Sequence, residues 1–235
     1  MGSSAGVAGF QPSVNGFAFT NSFPPEPDVR IDLGPAGHLS LGDASQGVCG
    51  GMVFAVRDYF EAKRATPPDA TPPAPGTALF SYLVRRLIDS FNVPAGVTTY
   101  GTWMVLPDAD VHFFVGSMRG TFSRTVVTSW PQIRADIDGG HPSPIGLVTI
   151  RSLDIGKIGQ CHQVLGYAYQ ISDQGIVTLS VYDPNTARTT ADSVAITFDS
   201  AHPGTPSPIT HNIDIPETTL HGFFASNYRP ATPPG

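Results

Sequence analysis

Hydrophobic positions recur with helical spacing in the first half of the chain and gather into short apolar runs in the last third. From Cys49 to Lys63, Met52, Val53, Val56, Tyr59 and Phe60 follow the i, i+3, i+4, i+7 spacing of one helix face. Asp43 or Ser45 can cap its entry, and Gly47, Gly50 and Gly51 let the backbone turn tightly there. A second helix is predicted from Thr77 to Phe91, burying Leu79, Phe80, Leu83, Leu87, Ile88 and Phe91. Between them, residues 66–76 hold too many prolines for a helix. Ser129-Trp130-Pro131 reads as a third helix start, with Ser129 as N-cap and Pro131 in the first turn; that helix stops at Gly139-Gly140. Trp103 to Leu106 and Val111 to Val115 are short apolar segments whose period selects neither helix nor strand.

After residue 144 the pattern changes. Ile145 to Ile150, His162 to Ile171, Gly175 to Asp183, Val194 to Phe198 and His221 to Ser226 are β-branched or aromatic runs separated by turn residues. Near the N-terminus, Gly16 to Asn21 alternates small and large residues like a short strand, ended by Pro24, Pro25 and Pro27. Helices first and strands after predict an α+β fold. The division expected is a single domain over residues 1–235. It has an extended segment at 1–40, a mainly helical part at 41–140, a mainly β part at 141–229 and a frayed tail at 230–235.

Composition narrows the function. Only 14% of the 235 residues are charged, while 25 Gly and 23 Pro imply many turns and long loops. The net charge of −6 and the lack of any Lys/Arg run leave no electrostatic footprint for nucleic acid. No apolar run approaches the roughly 20 residues of a membrane span, so no membrane partner is expected. Met1 to Gly9 lacks the basic start and apolar block of a secretory signal, and a cytoplasmic location is the expectation. Two cysteines are too few for a four-ligand zinc site, and in a reducing compartment they are not expected to pair. His38, His112, His141, His202, His211 and His221 lack ligand-like spacing, so neither metal nor cofactor is expected. A nucleophile or a buried small hydrophobe is what remains for each cysteine.

Three local patterns carry chemistry. In Gln46-Gly47-Val48-Cys49-Gly50-Gly51-Met52 a cysteine opens a helix, where the dipole and free N–H groups favour a thiolate and can receive an oxyanion. The flanking glycines keep bulk away from the sulfur. In Gln160-Cys161-His162-Gln163 a histidine opens a strand, which would hold a general base rigidly. In Val181-Tyr182-Asp183-Pro184-Asn185 an acid and an amide end the next strand. The Asp173-Gln174-Gly175 turn would pair these two strands antiparallel, so that Asp183 or Asn185 fixes the His162 tautomer. Cys161, adjacent to His162 on a strand, is expected to face the opposite layer as a structural residue. Each residue alone has a blander reading: a buried cysteine, a satisfied core histidine, a well-formed turn.

In this chain order, the cysteine at a helix start, the histidine on a strand and the Asp-Pro or Asn at the next strand end resemble papain-like cysteine peptidases. The resemblance is closest to the bacterial branch that includes bacteriocin-leader peptidases, where His–Val and Asp–Pro motifs recur. Gly140-His141-Pro142-Ser143-Pro144-Ile145-Gly146-Leu147 is also similar to the strand before the histidine there. The resemblance covers roughly residues 40–200 and implies a papain-like fold, with the nucleophile helix packed on a C-terminal antiparallel sheet. It further implies a thiol hydrolase acting on a peptide or protein substrate through Cys49, His162 and Asp183 and an acyl-enzyme. Three features depart from the family, one of them Cys161 directly before the histidine. Gln46 lies only three residues before Cys49, nearer than the usual oxyanion glutamine, so Asn21 is an alternative donor. Gly50 stands where a tryptophan usually follows the nucleophile. The alternatives are an acyltransferase on the same triad and a catalytically inactive papain-like binding domain.

Overall fold

The computed structural model describes residues 2–23, 30–32, 38–40, 48–92 and 95–235. The strand β1 (Ser3–Gly6) and the helical turn α1 (Pro12–Asn15) lead to a small antiparallel ladder of β2 (Arg30–Asp32) and β3 (His38–Ser40). Three helices follow: α2 (Cys49–Glu61), α3 (Ala78–Ser90) and α4 (Ala95–Val105). A hairpin of β4 (Val111–His112) and β5 (Ser117–Met118) precedes one continuous helical rod. The rod comprises α5 (Thr121–Arg124), a π-helical turn (Thr125–Ser129) and α6 (Trp130–Asp138). The remaining strands are β6 (Ser143–Val148), β7 (His162–Ile171), β8 (Ile176–Tyr182), β9 (Ala195–Asp199), β10 (Ile209–His211), β11 (Thr219–Leu220) and β12 (Gly222–Ala225).

Among the described residues these build an eight-stranded antiparallel sheet in the order β11-β10-β9-β8-β7-β6-β12, with β1 pairing the far end of β7. The fold is therefore α+β, with a sheet curled into a half-barrel. Helix α2 packs on α3 and β7, and α6 packs on β6 and β7. The 3₁₀ turn Ile155–Gln160 delivers the chain to β7. Gly175, at φ +80°, closes the β7–β8 hairpin, a backbone region where glycine carries no steric penalty.

The one-face period of α2 understates its burial: every residue from Cys49 to Tyr59 is buried. It is wrapped by α3, by β7 and, unexpectedly, by the C-terminus. The tail is not frayed. Ala231 N–H donates to Asp58 Oδ1 at 2.9 Å, and the Arg64 guanidinium binds the carbonyls of Pro233 and Pro234 at 2.8 and 2.7 Å. Prolines leave their carbonyls free as acceptors, which is how so polar-poor a tail is held.

Other expectations change for identifiable reasons. Thr77 caps α3 by accepting from Phe80 N–H, but Ile88 is exposed and Tyr82 and Arg86 are buried in its place. Arg86 is drawn inward by the buried Asp58 carboxylate, 2.6 Å from its Nε. Ser129 is not an N-cap; it lies mid-rod at φ −81°, ψ −46° with no capping bond. Gly16 to Asn21 forms no strand, yet Phe17 and Phe19 stack at 4.9 Å in the core, so their alternation reports burial without sheet pairing. Trp103 belongs to α4 and Val111 to the small hairpin.

Among the described residues no helix is long and apolar enough to cross a membrane.

Candidate active site

Cys49 is the first residue of α2, after Val48 in the N-cap position with no side-chain cap. Its backbone N–H belongs to the set that a helix start leaves without intrahelical partners. The adjacent glycines have a packing reason. A Cβ on Gly50 would strike the Ser90 hydroxyl and lie 2.7 Å from Gln163 Nε2, and one on Gly51 would strike the Leu83 carbonyl. The helix start is thus pressed between α3 and β7, the strand that His162 opens.

The β7–β8 register explains the contact between His162 and Asp183. Leu165 pairs with Tyr182, so the ladder extrapolates to Asp183 opposite Val164, on the face that also carries His162. Asn185 would lie directly across from His162, but the strand has ended and Pro184 turns the chain. Accordingly Asp183 Oδ1 lies 2.7 Å from His162 Nε2. Asn185 instead accepts from Asn21 Nδ2 at 3.2 Å and donates to the Asp214 carbonyl at 3.0 Å.

Asp183 is wholly buried and its carboxylate is fully engaged. Oδ1 also accepts from Asn185 N–H, and Oδ2 accepts from the Thr186 hydroxyl at 2.6 Å and from Asp214 N–H at 3.1 Å. Burial alone would raise its pKa, but the hydrogen bond and charge of His162, with Thr186 and Asn185, hold it below the ordinary carboxylate value. The turn and the orienting acid, which the sequence sets against each other, are one structure: Asp183 closes an Asx-type turn while it holds the imidazole.

His162 is 5% exposed. With Nε2 on Asp183, Nδ1 is the ring nitrogen left over, and the charge on Cys49 acts on the ring. Burial would lower the imidazole pKa; the charge on Cys49 and the bond to Asp183 outweigh it and raise the value to about 10. Cys161 is buried too, and burial pushes its thiol up to about 11. It caps the 3₁₀ turn before β7 begins, so strand alternation does not apply, and it borders the same cleft as His162.

That cleft, about 620 Å³, is walled by Asn21, Cys161, His162, Asn185, Asp214 and Glu217. Cys49 itself is 5% exposed. Asn21 reaches the cleft wall, though its amide N–H is taken by Asn185. Gln46 lies outside the described residues, as do Asp43 and Ser45.

Two supports of the site were not foreseen: Thr186 and the Asp214 backbone. Thr186 stands three residues after Asp183, a spacing typical of side-chain-closed turns, and was findable. Asp214 comes from the loop after β10, and no local pattern links it to Asp183. Tyr100, whose hydroxyl donates to the His162 carbonyl at 3.4 Å, likewise arrives from the middle of α4.

Compared with known proteins, the chain matches no family model, no curated protein and no solved structure at a significant level.

Proposed function

We propose that the protein is a thiol-dependent hydrolase, a cysteine peptidase of papain-like fold, acting through Cys49, His162 and Asp183. The observation that carries the reading is the placement of His162: one ring nitrogen is bound at 2.7 Å to a buried carboxylate, at the start of a strand on which the helix headed by Cys49 packs. The resemblance of the three motifs to papain-like peptidases supports it independently.

In this mechanism the Cys49 sulfur attacks a substrate carbonyl carbon, and a C–S bond forms as the oxygen becomes an oxyanion. The Cys49 backbone N–H, at the positive end of α2, is placed to stabilise that charge. As the tetrahedral species collapses, the amide C–N bond breaks and His162 gives its proton to the leaving amine. Water then attacks the thioester, with His162 taking one of its protons, and releases the acid and the cysteine. Asp183 keeps the ring oriented throughout and is not itself protonated.

The test is cleavage of a diverse peptide mixture read by mass spectrometry. Products formed by the native protein and missing with Cys49→Ala support the reading; products that persist in Cys49→Ala remove it. Added amine appearing in the products would assign acyl transfer on the same site. A second reading, a site closed until a partner opens it, draws on the burial of Cys49, which is not among the residues walling the cleft. It predicts no cleavage by the isolated chain.

A further inference from the structure

Away from the cysteine, a separate pocket of about 240 Å³ lies between α4, the helical rod and the end of β12. Three aromatic side chains, Tyr100, Trp103 and Phe224, form its apolar side. Tyr100 meets Phe224 edge to face at 4.7 Å, and Trp103 meets Phe224 at a tilt at 5.5 Å. The Tyr100 hydroxyl is already engaged with the His162 carbonyl, so this residue offers the pocket a ring.

The opposite side is polar and comes from the π-helical turn. In an α-helix, residues five apart point about 140° away from each other. The π turn pairs residues i and i+5, here Trp130 N–H to the Thr125 carbonyl, which brings positions four and five apart onto one side. Arg124, Thr128 and Ser129 therefore all border the pocket. Arg124 Nε donates to the Arg119 carbonyl at 3.0 Å, and among the described residues its two terminal nitrogens have no partner. Ser129 is 3% exposed and borders the pocket, and among the described residues its hydroxyl has no protein partner. A guanidinium end and a hydroxyl without protein partners on one wall are donors suited to an anion. Among the described residues no Asp or Glu borders this pocket.

We infer that this pocket binds a small planar carboxylate, a single aromatic ring bearing one carboxyl group. The ring would lie against Trp103 and Phe224, and the carboxylate would accept from Arg124 and Ser129. The volume is below the roughly 300–1,000 Å³ of sites for drug-sized molecules, which restricts the ligand to about one ring. A rod without the π turn would point Arg124 and Ser129 apart, so the irregularity is what assembles the site. The inference stands apart from the chemistry of Cys49.

The test is a titration of isotope-labelled protein with sodium benzoate, following the indole N–H signals of the two tryptophans. The expected result is a saturable shift of one signal, the one whose ring shows cross-relaxation with Phe224. Benzyl alcohol, with the same ring and no charge, should bind at least tenfold more weakly. Arg124→Gln should weaken benzoate at least tenfold. Thr128→Glu should do the same from an exposed position, by offering the guanidinium a carboxylate, so the outcome does not hang on one variant folding. The inference fails if neither indole responds, if benzyl alcohol matches benzoate, or if a folded charge variant keeps native affinity.

Discussion

Two buried aspartates make opposite uses of similar surroundings. Asp58, in α2, has its carboxylate filled by Arg86, by the Tyr82 and Tyr228 hydroxyls at 2.6 Å each, and by Ala231 N–H. Asp183 is filled as completely, by His162, Thr186, Asn185 and Asp214. The difference is the cation. Arginine keeps its charge at any ordinary pH, and Arg86 is further tied to Asp89 and to the Arg229 carbonyl, so that cluster is closed. Histidine can release its proton, and His162 borders a cleft while the charge on Cys49 acts on its ring. A buried carboxylate with every lone pair satisfied is thus a structural device in both places. It becomes a candidate chemical one only where its partner can titrate and has a free edge.

Breaking the closed cluster should have the largest effect. Asp58→Ala strands the Arg86 charge and should cost about 3–5 kcal/mol in urea unfolding, while the folded fraction keeps native Cys49 reactivity. If stability is unchanged, the cluster does not hold the tail and helices together.

The open cluster should show itself as pH dependence. His162 has a folded pKa above its unfolded value, so its stabilisation is complete below pH ~6.5 and is lost as pH rises through about 10. Asp183 has a folded pKa below its unfolded value. Its stabilisation is complete above pH ~3.9 and is lost as pH falls through the lower folded value. His211, depressed chiefly by burial, adds to the loss on the acid side alone. Urea midpoints measured across pH should therefore form a plateau, and His162→Ala should remove its alkaline fall.

Gly51→Ala presses a methyl on the Leu83 carbonyl and should cost about 1–3 kcal/mol by thermal or urea unfolding. Tolerance without loss would mean that α2 and α3 are farther apart than the structure has them. The smallest effect sharpens the assignment of the orienting residue. Asn185→Ala should leave the Cys49 alkylation rate within about twofold of native, whereas Asp183→Asn should lower it at least tenfold. Equal losses would move the orienting role toward Asn185.

Much of this was legible locally. Helices α2 and α3, the strand His162–Ile171 and the Gly175 turn follow from period and turn chemistry, and the two strands that carry His162 and Asp183 follow with them. The choice between Asp183 and Asn185 was not, because it depends on which residue ends β8 and so on a register. The tail's attachment was hidden too: its prolines carry no period, and their partners, Tyr59 and Arg64, lie 175 and 169 positions away. Strands β10 and β11 are two or three residues long, too short to show alternation, and β1 is built of Ser, Ala and Gly.

The central claim is that the imidazolium of His162 and the sulfur of Cys49 form a poised pair. The direct measurement is the rate of alkylation by iodoacetamide against pH, read at each cysteine by peptide mass spectrometry, for the native protein and for His162→Ala. Cys161, its thiol pushed up to about 11 by burial, serves as the internal control. The account predicts rapid labelling of Cys49 well below the free-thiol range near pH ~8.5, lost in His162→Ala. Slow labelling that follows an ordinary thiol titration, alike in both proteins, would contradict it.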